Sequence, residues 1–417
     1  MVASRSRWKA RNADIGIDGV VWKTARRSSN TAMANSTRIS IVGAGPAGLA
    51  CAIVLARGGR KVVVREWKDR VGHRFHDDFQ GLENWTSEKD VLEELAAVGI
   101  AADFDHHPFN RGTVFDPSAR SYVVKGRRPL FYLLRRGPGE GTLDSALLAQ
   151  ARAAGVEVRF GDRVKTFADA GILAAGPREA AVIAAGHVFE TDMRDGAWLA
   201  LGDEIAPGGY AYLLVRDGRG TVASCMFTGF RDHARHVKAS EDFFRDHAGL
   251  EMRNARAFGG YGSYRLPRSA HQGGHLVIGE HAGFQDALAG FGIRHAIRSG
   301  VLAAECILTG ADYTARWQSE LGPSLKAGIV NRWMFGLGGE VGMRIACRKL
   351  AKDDAGDVLR RAYDLTAFRR LALPLARRRY RTALEDPSCS HVDCDCVWCR
   401  HGDHGSAGTN DKVGETV

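Results

Sequence analysis

The stretch RISIVGAGPAGLACAIVLARGGRKVVVRE, Arg38 to Glu66, constrains the fold more than any other part of the chain. An apolar strand from Ile39 to Val42 enters Gly43-x-Gly45-x-x-Gly48, continues into an alanine-rich helix closed by Gly58 and Gly59, and returns as a strand from Val62 to Val64. That order is a βαβ unit. Gly43 permits the tight turn, Gly45 lets backbone touch a diphosphate, and Gly48 lets the helix pack closely on the strand. The helix N-terminus, with Pro46 and Ala47 in its first turn, attracts negative charge. Glu66 lies 23 residues after Gly43, at the end of the second strand, where a carboxylate binds ribose hydroxyls and disfavours a 2′-phosphate. Strand, glycines, helix, strand and acid agree on dinucleotide binding, and the unit by itself serves FAD and NAD alike.

A second glycine cluster separates the two. HLVIGEHAGFQDALAGFGIRHAIRSGVLAAECIL reads as a short apolar strand, a glycine turn with an acid, a loop, and a helix from about Gly292 to Leu308. A nicotinamide enzyme holds its cofactor with the first unit and has no use for another such loop. A flavin extends farther, and the helix beginning near Gly292 would aim its positive end at the anionic reduced form.

Together, VGAGPAGLACAIVLARGGRKVVVRE and VIGEHAGFQDALAGFGIRHAIRSG resemble the geranylgeranyl reductase family of flavin-dependent oxidoreductases, a branch of the group sharing the aromatic hydroxylase fold. RRGPGEGTLDSALLAQARAAGVEVRFG fits the same family, so the resemblance spans about Arg38 to Leu308. It implies that Gly43, Gly45, Pro46, Ala47, Gly48 and Glu66 meet the adenosine and diphosphate of FAD. It further implies that Gly279 and Glu280 meet the diphosphate and ribityl chain, and that Gly290, Phe291, Gly292 and Ile293 wall the isoalloxazine. Glu280 stands where the wider group has Asp. The family's Tyr-x-Trp-x-Phe-Pro strand is matched in part by GGYAYLLVRDGRG, with Tyr210 in place, Tyr212 for the Trp and Val215 for the Pro. Hydroxylases of this fold carry an Asp-Gly pair after the mid-chain strand, whereas GILAAGPREAAV has no acid before Gly176, which favours a reductase over a monooxygenase.

The expected fold is α/β. A Rossmann-like FAD-binding domain is built from residues 38–76, 126–186 and 265–310, and an antiparallel or mixed β substrate layer from 77–125 and 187–264. A basic helical region spans 311–386, and residues 387–417 form a Cys/His-rich tail. Residues 1–37 are expected to be a disordered extension or a mis-assigned start, with translation beginning at Met33. Their lack of an apolar core segment reads against a secretory signal.

The net charge of +10 is concentrated at the two ends, which leaves a near-neutral body and argues against a nucleic-acid groove. No apolar run approaches the ~18 residues that span a bilayer. The expected location is cytoplasmic, with peripheral membrane attachment open: Arg369, Arg370, Arg377, Arg378, Arg379 and Arg381 sit among apolar clusters, which suits either a solvated helix face or anionic lipid headgroups. Cys51, Cys225, Cys306 and Cys347 read as reduced core residues. Cys389, Cys394, Cys396 and Cys399, with His391, His401 and His404 nearby, could enclose zinc or an iron–sulfur centre, or be loose thiols.

Other short signals read as plain structure. RRGPGEG is a loop before a helix over Leu143–Ala153, FDHHPF a solvated loop, and FHDDFQGLENWT either lines the site or packs. The function these features imply is FAD-dependent reduction of a carbon–carbon double bond in an isoprenoid or other apolar substrate, with NAD(P)H as a diffusible reductant. The alternatives are an FAD monooxygenase of an aromatic or polyketide-like substrate, and an electron-transfer flavoprotein that docks a redox partner through the cysteine tail.

Overall fold

The structure is a computed structural model and describes residues 38–164, 171–177, 180–264, 266–272 and 274–382. Strand β1 (Ile39–Val42), helix α1 (Pro46–Arg57) and strand β2 (Val62–Arg65) form the expected unit, with Ile39 opposite Val62 in parallel register. The chain then builds β3 (Phe79–Glu83), α2 (Val91–Ala97), β4 (His106–Phe109), β5 (Arg111–Phe115), β6 (Ser121–Lys125) and β7 (Phe131–Arg135). Helix α3 (Leu143–Ala153), capped by the Thr142 side chain, leads to β8 (Glu157–Arg159) and β9 (Ile172–Leu173). Long strands follow: β10 (Val182–Glu190), β11 (Gly196–Ala200), β12 (Tyr210–Arg216) and β13 (Arg219–Met226), then α4 (His233–Ala248) and β14 (Arg253–Gly262). Short strands β15 (His271–Gln272) and β16 (His275–Val277) precede α5 (Ile293–Thr309). The chain closes with α6 (Tyr313–Glu320), α7 (Gly322–Lys352), α8 (Ala355–Ala362) and α9 (Ala367–Thr382).

Three sheets result. Six strands run in the order β15-β16-β9-β1-β2-β8, all parallel except for β15. Seven run β14-β10-β13-β12-β11-β5-β6, antiparallel except where β11 meets β5. The third, β3-β7-β4, is antiparallel throughout. Here the pairing departs from the expected segmentation: β7, from the 126–186 segment, sits between β3 and β4 from the 77–125 segment, and β10 already joins the seven-stranded sheet at Val182. The small sheet therefore links the two parts.

His106 and His107 lie on a strand rather than the expected loop, opposite Leu134 and Leu133. Pro108 is tolerated because β4 is an edge strand, where a missing N–H costs no ladder bond.

The main core lies between α1, α5 and the parallel sheet. Helix α5 crosses α1 with backbone almost in contact: a Cβ on Gly300 would stand 2.2 Å from the Ala47 carbonyl oxygen. Helix α7 breaks at Gly339, whose φ of 48° and ψ of −150° are open to glycine alone.

Candidate cofactor and substrate cleft

One cleft of about 2200 Å³ runs from the βαβ turn to the C-terminal helices. At its polar end, β1 delivers Gly43 and Gly45 to the mouth of α1. That helix starts at Pro46 with no side-chain cap on Gly45, so its first N–H groups are left for a ligand. A Cβ on Gly45 would meet nothing within 4 Å, whereas one on Gly48 would stand 2.1 Å from the Gly43 carbonyl oxygen. Gly45 thus faces the open cleft, and Gly48 lies behind it as the packing glycine. Helix α5 likewise starts without a side-chain cap, at Gly292, and its first residue, Ile293, lines the same cleft.

Of the candidate residues, Gly43, Gly45, Pro46, Ala47, Glu66, Gly279, Glu280, Gly290, Phe291, Gly292 and Ile293 all border this cleft. Glu66 Oε2 accepts the Ala44 N–H at 2.8 Å and Oε1 accepts the Lys68 N–H at 3.0 Å, which fixes the carboxylate at the end of β2. Glu280 accepts from Arg74 Nη2 at 3.1 Å, and Arg74 faces the rings of Phe75 and Tyr261. The longer Glu side chain is held by a residue the glycine motifs do not announce.

The loop after β2 does both of the things its composition allowed. Phe75, His76, Asp78, Gln80 and Trp85 line the cleft, and Trp85 also packs edge-on against Phe291 with ring centres 4.9 Å apart. Asp78 is buried; its carboxyl accepts from the His76 N–H and from Gln80 Nε2, and burial raises it above the usual carboxylate range. Behind it, Arg136 and Asp144 form a buried two-point pair at 2.8 and 2.9 Å.

Gln285 was not singled out by its sequence context. Its Nε2 donates to the Gly290 carbonyl at 2.8 Å, and its buried Oε1 has no hydrogen-bond partner. A buried acceptor left unmet beside the mouth of α5 is expected where a bound ligand completes the bond. Next to it, Asp286 is pushed up to about 6 by burial, although the Leu288 and Ala289 N–H groups bind its carboxylate.

The other half of the cleft has an apolar sheet face on one side, while Arg332, Lys349, Arg361 and Arg369 of the C-terminal helices also border it. Tyr212 and Leu214 on β12, Ala197 and Leu199 on β11, and Val114 on β5 present one sheet face to it, with Phe131 from β7. Burial, reinforced by the nearby Asp78 carboxyl, holds the Tyr212 phenol well above its ordinary value, so this wall stays uncharged. Tyr210 donates its hydroxyl to the Ala289 carbonyl at 2.6 Å, tying β12 to the second glycine loop. Arg332 ties α7 to the same loop through the Leu288 carbonyl (3.1 Å), and to the connection between β11 and β12 through the Gly208 carbonyl. An elongated dinucleotide fits this arrangement: two uncapped helix ends, open space over Gly45 and an unmet acceptor lie along one path.

Cys51, Cys225, Cys306 and Cys347 are free and buried. Among the described residues, no cluster of three or more His, Cys, Asp or Glu is placed to hold a metal. Cys389, Cys394, Cys396 and Cys399 lie outside the described residues, as does the 1–37 extension. Among the described helices, none is long and apolar enough to cross a membrane.

Residues 41–83 match the profile of the NAD(P)-binding Rossmann-like domain family. No curated protein matches the chain significantly in sequence. Among solved structures, the chain is similar to a geranylgeranyl bacteriochlorophyll reductase-like protein from Thermoplasma acidophilum, at 17% identity and a TM-score of 0.58, over 83% of this chain and 100% of the other. It is similar to the flavin-dependent brominase Bmp2, at 15% identity and a TM-score of 0.59, over 82% of this chain and 100% of the other. It is also similar to the peptidyl tryptophan dihydroxylase QhpG, at 20% identity and a TM-score of 0.51, over 79% and 80% of the two chains. What these likenesses share is architecture, and the chain has the α/β fold of flavoprotein oxidoreductases and halogenases, with a Rossmann-like domain at its N-terminal side.

Proposed function

We propose that the protein is an FAD-dependent oxidoreductase that saturates a carbon–carbon double bond of an isoprenoid or related apolar molecule. The observation that carries this reading is the continuity of the cleft, with two helix N-termini opening on one end and an uncharged apolar sheet face forming the other. FAD, once reduced by NAD(P)H, would supply the hydride to one alkene carbon, and the proton on the other carbon would come ultimately from solvent. Gly43–Ala47 and Gly279–Glu280 would hold its diphosphate, Glu66 its adenosine ribose, and Gly290–Ile293 with Gln285 its ring. The N-terminus of α5 would favour the negative charge of a reduced ring held there. Tyr212, Leu214 and Phe131 would seat the alkene and keep water away from it.

The test begins with the absorption spectrum of the purified protein, before and after anaerobic reduction by NADH or NADPH. The reduced protein is then mixed with prenyl lipids in the absence of oxygen, and the products are weighed by mass spectrometry. A gain of two mass units per saturated bond is expected. A colourless protein that refuses FAD on reconstitution would end the proposal.

The likeness to a dihydroxylase supports a second reading, oxygen insertion into an aromatic substrate. NAD(P)H oxidation that proceeds only with stoichiometric oxygen uptake and leaves prenyl chains unsaturated would select it.

A further inference from the structure

Nine large hydrophobic side chains are exposed among the described residues, and seven of them sit on α7 and α9: Met334, Leu337, Val341, Ile345, Phe368, Leu371 and Leu375. Leu371 is 81% exposed, more than any other of the nine. The arrangement inverts a solvated helix. Along α9, the small Ala372 and Ala376 are buried against Ile329 and Val330 of α7, while the bulky Phe368, Leu371 and Leu375 recur at helical spacing on the outside. An exposed apolar set of this extent marks an interaction surface.

Charge narrows the partner. Helix α9 carries six Arg and no acid, and Arg370, Arg377, Arg378 and Arg379 are exposed. Beyond Gly339, α7 adds exposed Arg348, Lys349 and Lys352. A second copy docking by two-fold symmetry would set this arginine-rich helix against itself or against α7, whose one acid, Glu340, is already paired with Arg344 at 2.7 Å. Bulky apolar residues interspersed with Arg and Lys match an anionic bilayer, in which the apolar groups enter the acyl boundary and the cations meet phosphate. The surface is also continuous with the cleft, because Met334 and Lys349 line both.

We infer that α7 and α9 form a docking face for an anionic membrane surface, which places the apolar end of the cleft beside the bilayer. The docking itself does not depend on the flavin chemistry. The test is co-sedimentation of the full-length protein with vesicles of phosphatidylcholine containing 30% phosphatidylglycerol, and with phosphatidylcholine alone. Binding is expected to the anionic vesicles, to weaken at least tenfold in 0.5 M salt as ~10 Å screening shrinks, and to be poor on the neutral ones. Leu371→Glu with Leu375→Glu should raise the lipid needed for half-binding by about tenfold or more. Arg370→Gln with Arg377→Gln should do so on anionic vesicles only. Thermal stability and bound flavin serve as controls for folding and for the chemistry, and both should be unchanged. Absence of vesicle binding by the wild type, or equal binding by the Leu variants, would overturn the proposal. So would concentration-dependent self-association that the same Leu substitutions abolish without vesicle binding, which would give the face to a second copy.

Discussion

The loop at Gly43–Gly48 and the loop at Gly279–Gly292 reach the same cleft by different physics. The first is held mostly by backbone: β1 and β2 set its ends, Gly43 donates to the Arg65 carbonyl, its helix begins without a side-chain cap, and a single side chain, Glu66, braces it by accepting the Ala44 N–H. The second is irregular and held by side chains. Ser299 Oγ accepts the Gly279 N–H, Asp286 binds two N–H groups of its own turn, Gln285 braces Gly290, and Glu280 is gripped by Arg74. A backbone-held loop is sensitive to added volume and added charge. A side-chain-held loop is sensitive to pH and to the loss of single polar atoms.

The contrast can be tested by substitution, starting where the loops lean on a common support. Gly300→Val should be the most damaging change. Its Cβ alone would stand 2.2 Å from the Ala47 carbonyl oxygen, so α1 and α5 must separate. A loss of roughly 3–5 kcal/mol, read as insolubility or a collapsed denaturation midpoint, is expected.

Gly45→Asp should show that the first loop fails by charge without unfolding. Its side chain enters open space, so the melting temperature of the ligand-free protein should hold, while FAD affinity falls by about a hundredfold or more as a carboxylate meets the diphosphate site. Joint loss of fold and binding would remove the distinction drawn for Gly45.

Asp286 tests the pH sensitivity of the second loop. Its folded value of about 6 lies above the ordinary 3.8, so between these the native state holds a proton the unfolded chain has released. Stability from this group therefore falls as pH rises from about 4 to 6, and the full cost is present above 6. Asp286→Asn carries no charge and escapes that cost. The stability of the variant minus that of the wild type, from denaturant titrations at pH 4 and pH 8, should shift toward the variant by up to about 3 kcal/mol. A difference independent of pH would mean that the burial of Asp286 is not felt.

The smallest effect is expected at Gln285. Gln285→Leu removes a buried acceptor that has no partner together with one bond to Gly290, so the ligand-free protein should change by under about 1 kcal/mol. FAD affinity should fall by roughly tenfold if that acceptor serves the ring, as titration by fluorescence quenching would show.

How much of this was legible in the sequence follows the same division. The first loop announces itself because a short apolar strand, fixed glycine spacing and an alanine-rich helix are all local signals. The second was visible through its glycines and through the helix they precede, but Gln285 and Arg74 were not, since an unmet acceptor and a grip on Glu280 exist only once distant segments meet. The substrate layer was legible as an antiparallel or mixed sheet, yet its strand pairing was not. Whether β7 joins β3 and β4 or the parallel sheet depends on long-range pairing, and Pro108 disguised an edge strand as a loop.

The break at Gly339 divides α7 into two rods of different duty. The first is fastened through Arg332 to the loop that walls the polar end, whereas the second carries Cys347, Lys349 and Leu350 at the far end. Torsion at this one residue would alter the depth of the chamber while the fastened rod stays still. If the protein is the reductase proposed above, its reach toward substrates of different length would thereby be uncoupled from the geometry of the reacting ring.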